Sequence, residues 1–147
     1  MLLVCSSGGH LAQLHRLEPW WSAHERAWVT FDKPDARTRL AGERVHFGHH
    51  PTTRNLPNLA RNARLAYTVL RRERPDVIVS DGAGLAVPFF WLARWFGCKT
   101  AYLEVYDRVD SATMTARLCR PRTDLMLVQW PGQLDLYRGA VLAGSVY

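Results

Sequence analysis

Short apolar segments alternate with helical patterns along the whole chain. The apolar segments predict seven strands, at residues 2–5, 27–31, 45–47, 77–80, 100–103, 125–128 and 140–143. Most of them are apolar at nearly every position rather than at every second one, which is typical of parallel strands buried on both faces. The pattern therefore predicts an α/β fold, a Rossmann-like doubly wound parallel sheet that binds ligands at the carboxyl ends of its strands.

The first predicted strand ends at Ser6-Ser7-Gly8-Gly9-His10, where a helix is predicted to begin. Glycines permit a tight turn, and the first N–H groups of a helix attract anions. We therefore predict phosphate binding at this turn, with His10 beside it as a proton carrier. The turn lacks the third glycine of G-x-G-x-x-G and the Lys-Ser/Thr of a P-loop. An ordinary strand-to-helix turn, with His10 near its cap, is the alternative.

Composition favours one domain, spanning residues 1–147, because 48% of the 147 residues are hydrophobic. The net charge is +6, and Lys33 and Lys99 are the only lysines among 19 basic residues. Such an arginine-rich chain favours contact with phosphates or anionic lipid headgroups. The arginines are scattered and no nucleic-acid-binding motif occurs, so we predict no nucleic-acid partner.

Neither the cysteines nor the histidines form a metal-binding pattern. Cys5, Cys98 and Cys119 are widely spaced in apolar or helical contexts and are predicted to be reduced core thiols. The histidine-rich segment 46–50 has no cysteine or carboxylate at ligand spacing. We predict neither a metal nor another cofactor.

Two predicted helices carry features suited to a membrane surface. Residues 85–96 form the most apolar stretch, which is too short to span a bilayer and contains Phe90, Trp91 and Trp95 with Arg94 as its single charge. Residues 54–74 form a basic amphipathic helix. The alternatives are a helix buried between the sheet and a partner for the first, and an ordinary solvated face for the second.

Two carboxylates follow predicted strands and are therefore expected at the carboxyl edge of the sheet. Asp81 precedes Gly82 and is predicted to orient a sugar hydroxyl, or else to cap the next helix. Glu104 is predicted to accept a proton from an acceptor hydroxyl, or else to pair with Arg108.

Four motifs together resemble a known family: SSGGHLAQL at 6–14, PDVIVSDGAG at 75–84, LEVYDRVDSATMTARL at 103–118 and DLMLVQWPGQLDLY at 124–137. They are similar to the family of the asparagine-linked glycosylation subunit that anchors the eukaryotic UDP-N-acetylglucosamine transferase, and to its bacterial exopolysaccharide relatives. The resemblance covers nearly the whole chain, and the ordered motifs are more specific than the glycine turn alone.

The resemblance implies the amino-terminal half of a split GT-B glycosyltransferase, similar in layout to the MurG-like transferase of peptidoglycan synthesis. This chain would bind and recruit a polyprenyl-diphosphate-linked sugar acceptor, while a separate subunit binds the UDP-sugar. It is therefore expected to be an enzyme subunit that is inactive alone. The sugar would be N-acetylglucosamine, glucuronate or galactose. Residues 144–147 are expected where a crossover to a donor domain would begin.

The same resemblance suggests roles for individual residues. His10 or Glu104 would take the proton from the acceptor hydroxyl, and His10 is favoured because an ordinary pKa of about 6.5 leaves it largely neutral near pH 7. The acceptor diphosphate would lie on Ser7, Gly8 and Gly9. The acceptor groove would include Asp81, Gly82, Arg108 and Ser111, and the partner interface Gln129 and Trp130.

The eukaryotic relatives begin with a transmembrane helix, whereas this sequence begins at a strand. Attachment to the cytoplasmic face of the membrane is therefore expected to be peripheral, through Phe90, Trp91, Arg94 and Trp95. Two other functions stay open. One is a non-catalytic scaffold that recruits the donor subunit. The other is a free-standing nucleotide-binding domain, for which Asp32 is the one available ribose-binding acid.

Overall fold

Seven parallel strands form the sheet in the computed structural model, which describes residues 1–146; Tyr147, the last residue of the predicted domain, lies outside the described residues. The strands are β1 (Leu2–Val4), β2 (Ala27–Phe31), β3 (Val45–Gly48), β4 (Val77–Ser80), β5 (Lys99–Leu103), β6 (Leu125–Val128) and β7 (Val141–Leu142). Their order is β3-β2-β1-β4-β5-β6-β7, and all neighbours are parallel. The predicted fold class is confirmed, and each strand lies within one residue of its predicted bounds.

In the described part of the chain six α-helices connect the strands: α1 (Gly9–His15), α2 (Glu18–Trp21), α3 (Pro34–Arg39), α4 (Leu56–Glu73), α5 (Ala86–Ala93) and α6 (Met114–Cys119). The predicted helix at 54–74 is α4, which begins where the Asn55 side chain accepts the N–H of Asn58. The predicted helix at 85–96 is α5 followed by a 3-10 turn at Arg94–Phe96. No helix within residues 1–146 combines the length and apolarity needed to cross a bilayer.

The core lies in two layers because side chains alternate across each strand. In β1, Leu2 and Val4 join the cluster that contains residues of α4 and α5. Leu3, with Cys5 just beyond the strand, joins the opposite cluster with residues of α1. This burial on both faces explains the continuous apolar pattern. The three cysteines are buried and free, as predicted.

The strand order places a crevice between β1 and β4. The chain leaves β1 towards β2 and leaves β4 towards β5, on opposite sides of that junction. The connections therefore diverge at the carboxyl ends of these two adjacent strands, which is where doubly wound sheets bind ligands. The glycine turn that opens α1 and the acid that follows β4 meet at this point.

Candidate functional site

A pocket of about 160 Å³ lies in the crevice. It is lined by Gly9, His10, Gln13, Asp81, Val105, Tyr106 and Asp107. The start of α1 supplies the first three, the end of β4 supplies Asp81, and the segment after β5 supplies the rest. The fold thus brings three predicted site residues, Gly9, His10 and Asp81, into one cavity.

His10 and Asp81 form an imidazole–carboxylate pair in this pocket. His10 Nδ1 lies 3.4 Å from Asp81 Oδ1; the Asp81 side chain is fully buried, whereas that of His10 is 30% exposed. Neither Nδ1 nor either Asp81 oxygen has a partner of hydrogen-bond geometry among the described residues. Burying such atoms unpaired costs stability, which is characteristic of functional sites.

The two groups shift each other's proton affinity. Burial raises the pKa of Asp81 to about 6, against the opposing attraction of His10. Burial by itself lowers the pKa of His10, but the Asp81 carboxylate, helped by Asp107, outweighs it and raises that pKa above 6.5. At neutral pH the pair can therefore accept and release a proton through the exposed side of the imidazole.

Gly82 lies directly beneath the imidazole. Its φ is +119°, and a Cβ atom there would lie 2.8 Å from the Tyr102 hydroxyl oxygen and 3.3 Å from His10 Cε1. Glycine is therefore required for both the backbone conformation and the close approach. Gly82, predicted for the acceptor groove, is buried beside His10.

The glycine turn presents an amide to an anionic oxygen of the chain itself. Gly8 has a φ of +79°, and its N–H donates to Asp35 Oδ2 of α3 at 2.7 Å. Ser7 is half-buried, and Gly9 is exposed at the pocket edge. Binding of a diphosphate by Ser7, Gly8 and Gly9 stays a prediction, and it requires the ligand to share or replace the Asp35 contact.

Glu104, the second predicted base, does not line this pocket. Its side chain is fully buried and accepts hydrogen bonds from the Val105 N–H at 3.0 Å, the Thr113 hydroxyl at 3.2 Å and the Tyr137 hydroxyl. Burial and Glu104 together raise the pKa of Tyr137, so its hydroxyl stays protonated as a donor. The alternative ion pair with Arg108 is absent from the described residues. A catalytic role for Glu104 stays a prediction, while the geometry favours a structural one.

Three buried glutamines hold the segment after β5 against the pocket. Gln129 Nε2 donates to Gln13 Oε1 at 3.1 Å and to the Glu104 carbonyl at 2.8 Å. Gln133 Nε2 donates to the carbonyls of Val105 and Arg108, both at 3.0 Å. Gln13 and Gln133 were not predicted from the sequence as site residues. The available signal for Gln13 was its position three residues after His10, on the same face of α1.

Two predicted contact residues are corrected by their burial. Gln129 is only 2% exposed and bonded internally, so its side chain cannot form a partner surface. Phe90 is fully buried in the core and cannot touch a membrane. Both lie on faces that the sequence pattern could not orient, because they are flanked by apolar residues on each side.

The neighbouring aromatic residues are accessible. Trp95 is 77% exposed and Trp91 is 44% exposed. Arg94 is exposed between them in sequence. Trp130 is half-buried, and its indole N–H donates to the Tyr106 carbonyl at 2.6 Å.

The remaining predicted groove residues lie outside the pocket. Arg108 and Ser111 are both exposed on the segment before α6. The helix itself is capped by Thr113, whose hydroxyl accepts the Ala116 N–H at 3.1 Å. Within residues 1–146 no group of three or more His, Cys, Asp or Glu side chains is arranged to hold a metal.

Sequence comparison places the chain among oligosaccharide biosynthesis proteins. Residues 49–146 match the family described as "Oligosaccharide biosynthesis protein Alg14 like". The Schizosaccharomyces pombe UDP-N-acetylglucosamine transferase subunit alg14 is 35% identical over 77 residues, which are 49% of this chain and 37% of the relative. The human subunit ALG14 is 26% identical over 88 residues, 56% of this chain and 41% of the relative. The matched part is thus less than half of either relative.

Solved structures share the fold at low identity. MurG of Acinetobacter baumannii superimposes with a TM-score of 0.71 at 12% identity, covering 89% of this chain and 42% of that one. The UDP-N-acetylglucosamine 2-epimerase of Rickettsia bellii gives a TM-score of 0.72 at 11% identity, covering 99% and 44%. In both cases this chain corresponds to less than half of the neighbour.

Proposed function

The chain belongs to the Alg14-like family of oligosaccharide biosynthesis proteins, and we propose that it is the acceptor-binding subunit of a two-component glycosyltransferase. The complex transfers a sugar from a UDP-sugar to a polyprenyl-diphosphate-linked sugar, with a separate donor-binding subunit. Two observations support this division. The relatives named above are transferase subunits, and the fold corresponds to less than half of MurG.

The His10–Asp81 pair is the observation that carries the proposal. An attacking sugar hydroxyl must lose its proton as its oxygen bonds to the anomeric carbon and the bond from that carbon to UDP breaks, with inversion. The exposed side of His10 takes this proton. The Asp81 carboxylate, 3.4 Å from Nδ1, stabilises by its charge the imidazolium that forms. Asp81 is therefore a positioning residue, and His10 is the catalytic base.

The charge of the pocket determines which end of the acceptor enters it. Asp81 and Asp107 face His10 there, so a diphosphate in the same cavity would be repelled. A neutral sugar suits the cavity, because carboxylates accept hydrogen bonds from hydroxyl groups. We place the sugar beside His10 and the diphosphate at the adjoining Ser7-Gly8-Gly9 turn, where it replaces the Asp35 carboxylate as the acceptor of the Gly8 N–H.

Membrane association completes the proposal. The indole N–H of Trp91 donates to the Leu118 carbonyl at 3.0 Å, and the Arg122 guanidinium stacks 4.7 Å from the centre of a Trp91 ring. Together with the exposed Trp95 and Arg94, this surface combines aromatic and basic groups, as interfacial surfaces do. It supports peripheral attachment to a membrane, and the cytoplasmic face is the side we propose.

The donor is UDP-N-acetylglucosamine in this proposal, because the transferase subunits compared above carry that sugar in their names. UDP-glucuronate and UDP-galactose are the alternatives to test beside it.

The experiment is reconstitution of the two subunits. The chain is co-expressed with candidate donor-domain proteins, and transfer of radiolabelled sugar to a membrane lipid extract is measured with the chain present, absent or carrying His10→Ala. The matched control is His24→Ala, since His24 is exposed and outside the pocket. We expect transfer to need both proteins, to be lost with His10→Ala and to be retained with His24→Ala.

Two other results would assign the alternatives. Transfer that needs both proteins but survives both His10→Ala and Glu104→Gln would identify a scaffold without chemistry of its own. Tight binding of a nucleotide by this chain alone, with no partner and no transfer, would identify a free-standing nucleotide-binding domain.

A further inference from the structure

The side-chain amide of Gln13 has a bonded oxygen, Oε1, and, among the described residues, an unbonded nitrogen, Nε2. Its Oε1 accepts hydrogen bonds from Gln129 Nε2 at 3.1 Å and from the Tyr106 N–H at 3.3 Å. Both partners are donors, so the amide oxygen must face them. A flipped amide would place its own NH₂ donors against the donors of Gln129 and Tyr106. The Nε2 group is thereby directed elsewhere.

That Nε2 group has no acceptor in the described chain. It is buried without a hydrogen-bond partner, in a residue that is 1% exposed and lines the His10 pocket. A buried N–H donor that is left unpaired destabilises the folded protein. The unpaired Nε2 group lies in the wall of the same cavity as the unpaired atoms of His10 and Asp81.

We propose that Gln13 is a specificity-determining residue that donates a hydrogen bond to an uncharged oxygen of the acceptor sugar, next to the hydroxyl that attacks. This rests on the proposed function, since it names a contact in the same pocket. The other polar walls, Asp81 and Asp107, accept hydrogen bonds. Gln13 therefore supplies the hydrogen-bond donor. Its contact with the neighbouring sugar oxygen orients the sugar so that the attacking hydroxyl lies beside His10.

The contact gives the pocket a means of selecting its substrate. A site built to hydrogen-bond a substrate oxygen discriminates strongly against an analogue that lacks it, because the protein group is then left unpaired. The acceptor is accordingly a neutral sugar with a hydroxyl or amide carbonyl oxygen adjacent to its attacking hydroxyl.

The test compares the wild type with Gln13→Glu on a series of acceptor analogues, so that each protein change is paired with each substrate change. Gln13→Glu retains an oxygen for Gln129 and Tyr106 but replaces the unused N–H donors with an acceptor. The reconstituted complex is assayed in detergent with short-chain prenyl-diphosphate sugars, each lacking one hydroxyl or the acetamido group. We expect the acceptor KM to rise about 10- to 100-fold with a smaller change in kcat. One deoxy analogue should lose activity with the wild type and lose none further with the variant.

Gln133→Met is the control, because Gln133 holds the same segment through Val105 and Arg108 but does not line the pocket. It should affect all analogues equally. The proposal is overturned if Gln13→Glu also affects every analogue equally, or lowers Tm without changing KM. If the variant does not fold, the wild-type analogue series decides: equal activity with every analogue overturns the contact. Transfer that depends on His10 but not on Gln13 rejects this inference alone, whereas absence of transfer in every arm rejects the proposed function.

Discussion

Asp81 and Glu104 occupy equivalent places and have opposite surroundings. Each is the residue directly after a strand, β4 and β5 respectively, and those strands are neighbours in the sheet. Both side chains are fully buried. Three donors satisfy Glu104, whereas within residues 1–146 neither oxygen of Asp81 has a hydrogen-bond partner, and Oδ1 lies beside His10.

The difference separates a structural carboxylate from a functional one. A buried charge that accepts several hydrogen bonds stabilises the groups around it, so removing it leaves donors unpaired. A buried charge without such donors is destabilising and persists where its charge is used. Chain position alone therefore does not assign a role to an acid at a strand end.

The largest expected effect is on the transfer rate, which should distinguish the His10–Asp81 pair from Glu104. His10→Gln should lower the transfer rate of the reconstituted complex by about 10²- to 10⁴-fold, because it removes the proton acceptor. Glu104→Gln should change the rate by less than about 10-fold, since the hydroxyls of Thr113 and Tyr137 can donate to or accept from an amide. Initial rates at saturating substrates check this, and a loss for Glu104→Gln as large as that for His10→Gln would mean that Glu104 also takes part in the reaction.

Glu104→Ala should strongly destabilise the fold. The substitution removes the acceptor for Val105, Thr113 and Tyr137, and we expect the free energy of unfolding to fall by about 3–5 kcal/mol. Urea denaturation of the chain measures it, with Asp81→Ala as the matched control. A loss at Asp81 as large as that at Glu104 would remove the distinction between the two acids.

Asp81→Asn should stabilise the fold above pH 6. The folded pKa of Asp81, about 6, lies above its ordinary 3.8, so the folded state binds the proton more tightly than the unfolded state. This contribution is complete below pH 3.8 and is lost as the pH rises through 6. At pH 8 the variant should therefore be more stable by about 3 kcal/mol, as measured by denaturation at several pH values.

The same substitution should shift the pH dependence of transfer. Asp81 raises the pKa of His10 above 6.5, and a general base works only when deprotonated. The acid limb of the rate profile should therefore lie above pH 6.5 in the wild type and move to lower pH in Asp81→Asn. An unchanged limb would mean that another group titrates.

Tyr137→Phe should have the smallest effect. It removes the hydroxyl that donates to Glu104 but leaves the ring packed in the core. We expect a loss of about 1–2 kcal/mol in stability and no shift of the pH–rate profile. A shifted profile would mean that Glu104 influences the proton transfer, against the structural role assigned to it.

The sequence by itself determined the sheet and its edge. Continuous apolar segments defined all seven strands, and the crossover rules for parallel strands then put the glycine turn, Asp81 and Glu104 at the same edge. Gly82 was also accessible from the local pattern, because turn chemistry depends on adjacent residues.

Only the tertiary structure decided which acid faces His10 and which groups are left unpaired. The donors to Glu104 include Tyr137, which lies 33 residues further along the chain, and the Gln13–Gln129 contact joins residues 116 apart. No periodicity encodes such contacts, since they depend on how separate loops pack over the end of the sheet. Burial and hydrogen bonding, and with them proton affinity, are properties of that packing rather than of the residue types.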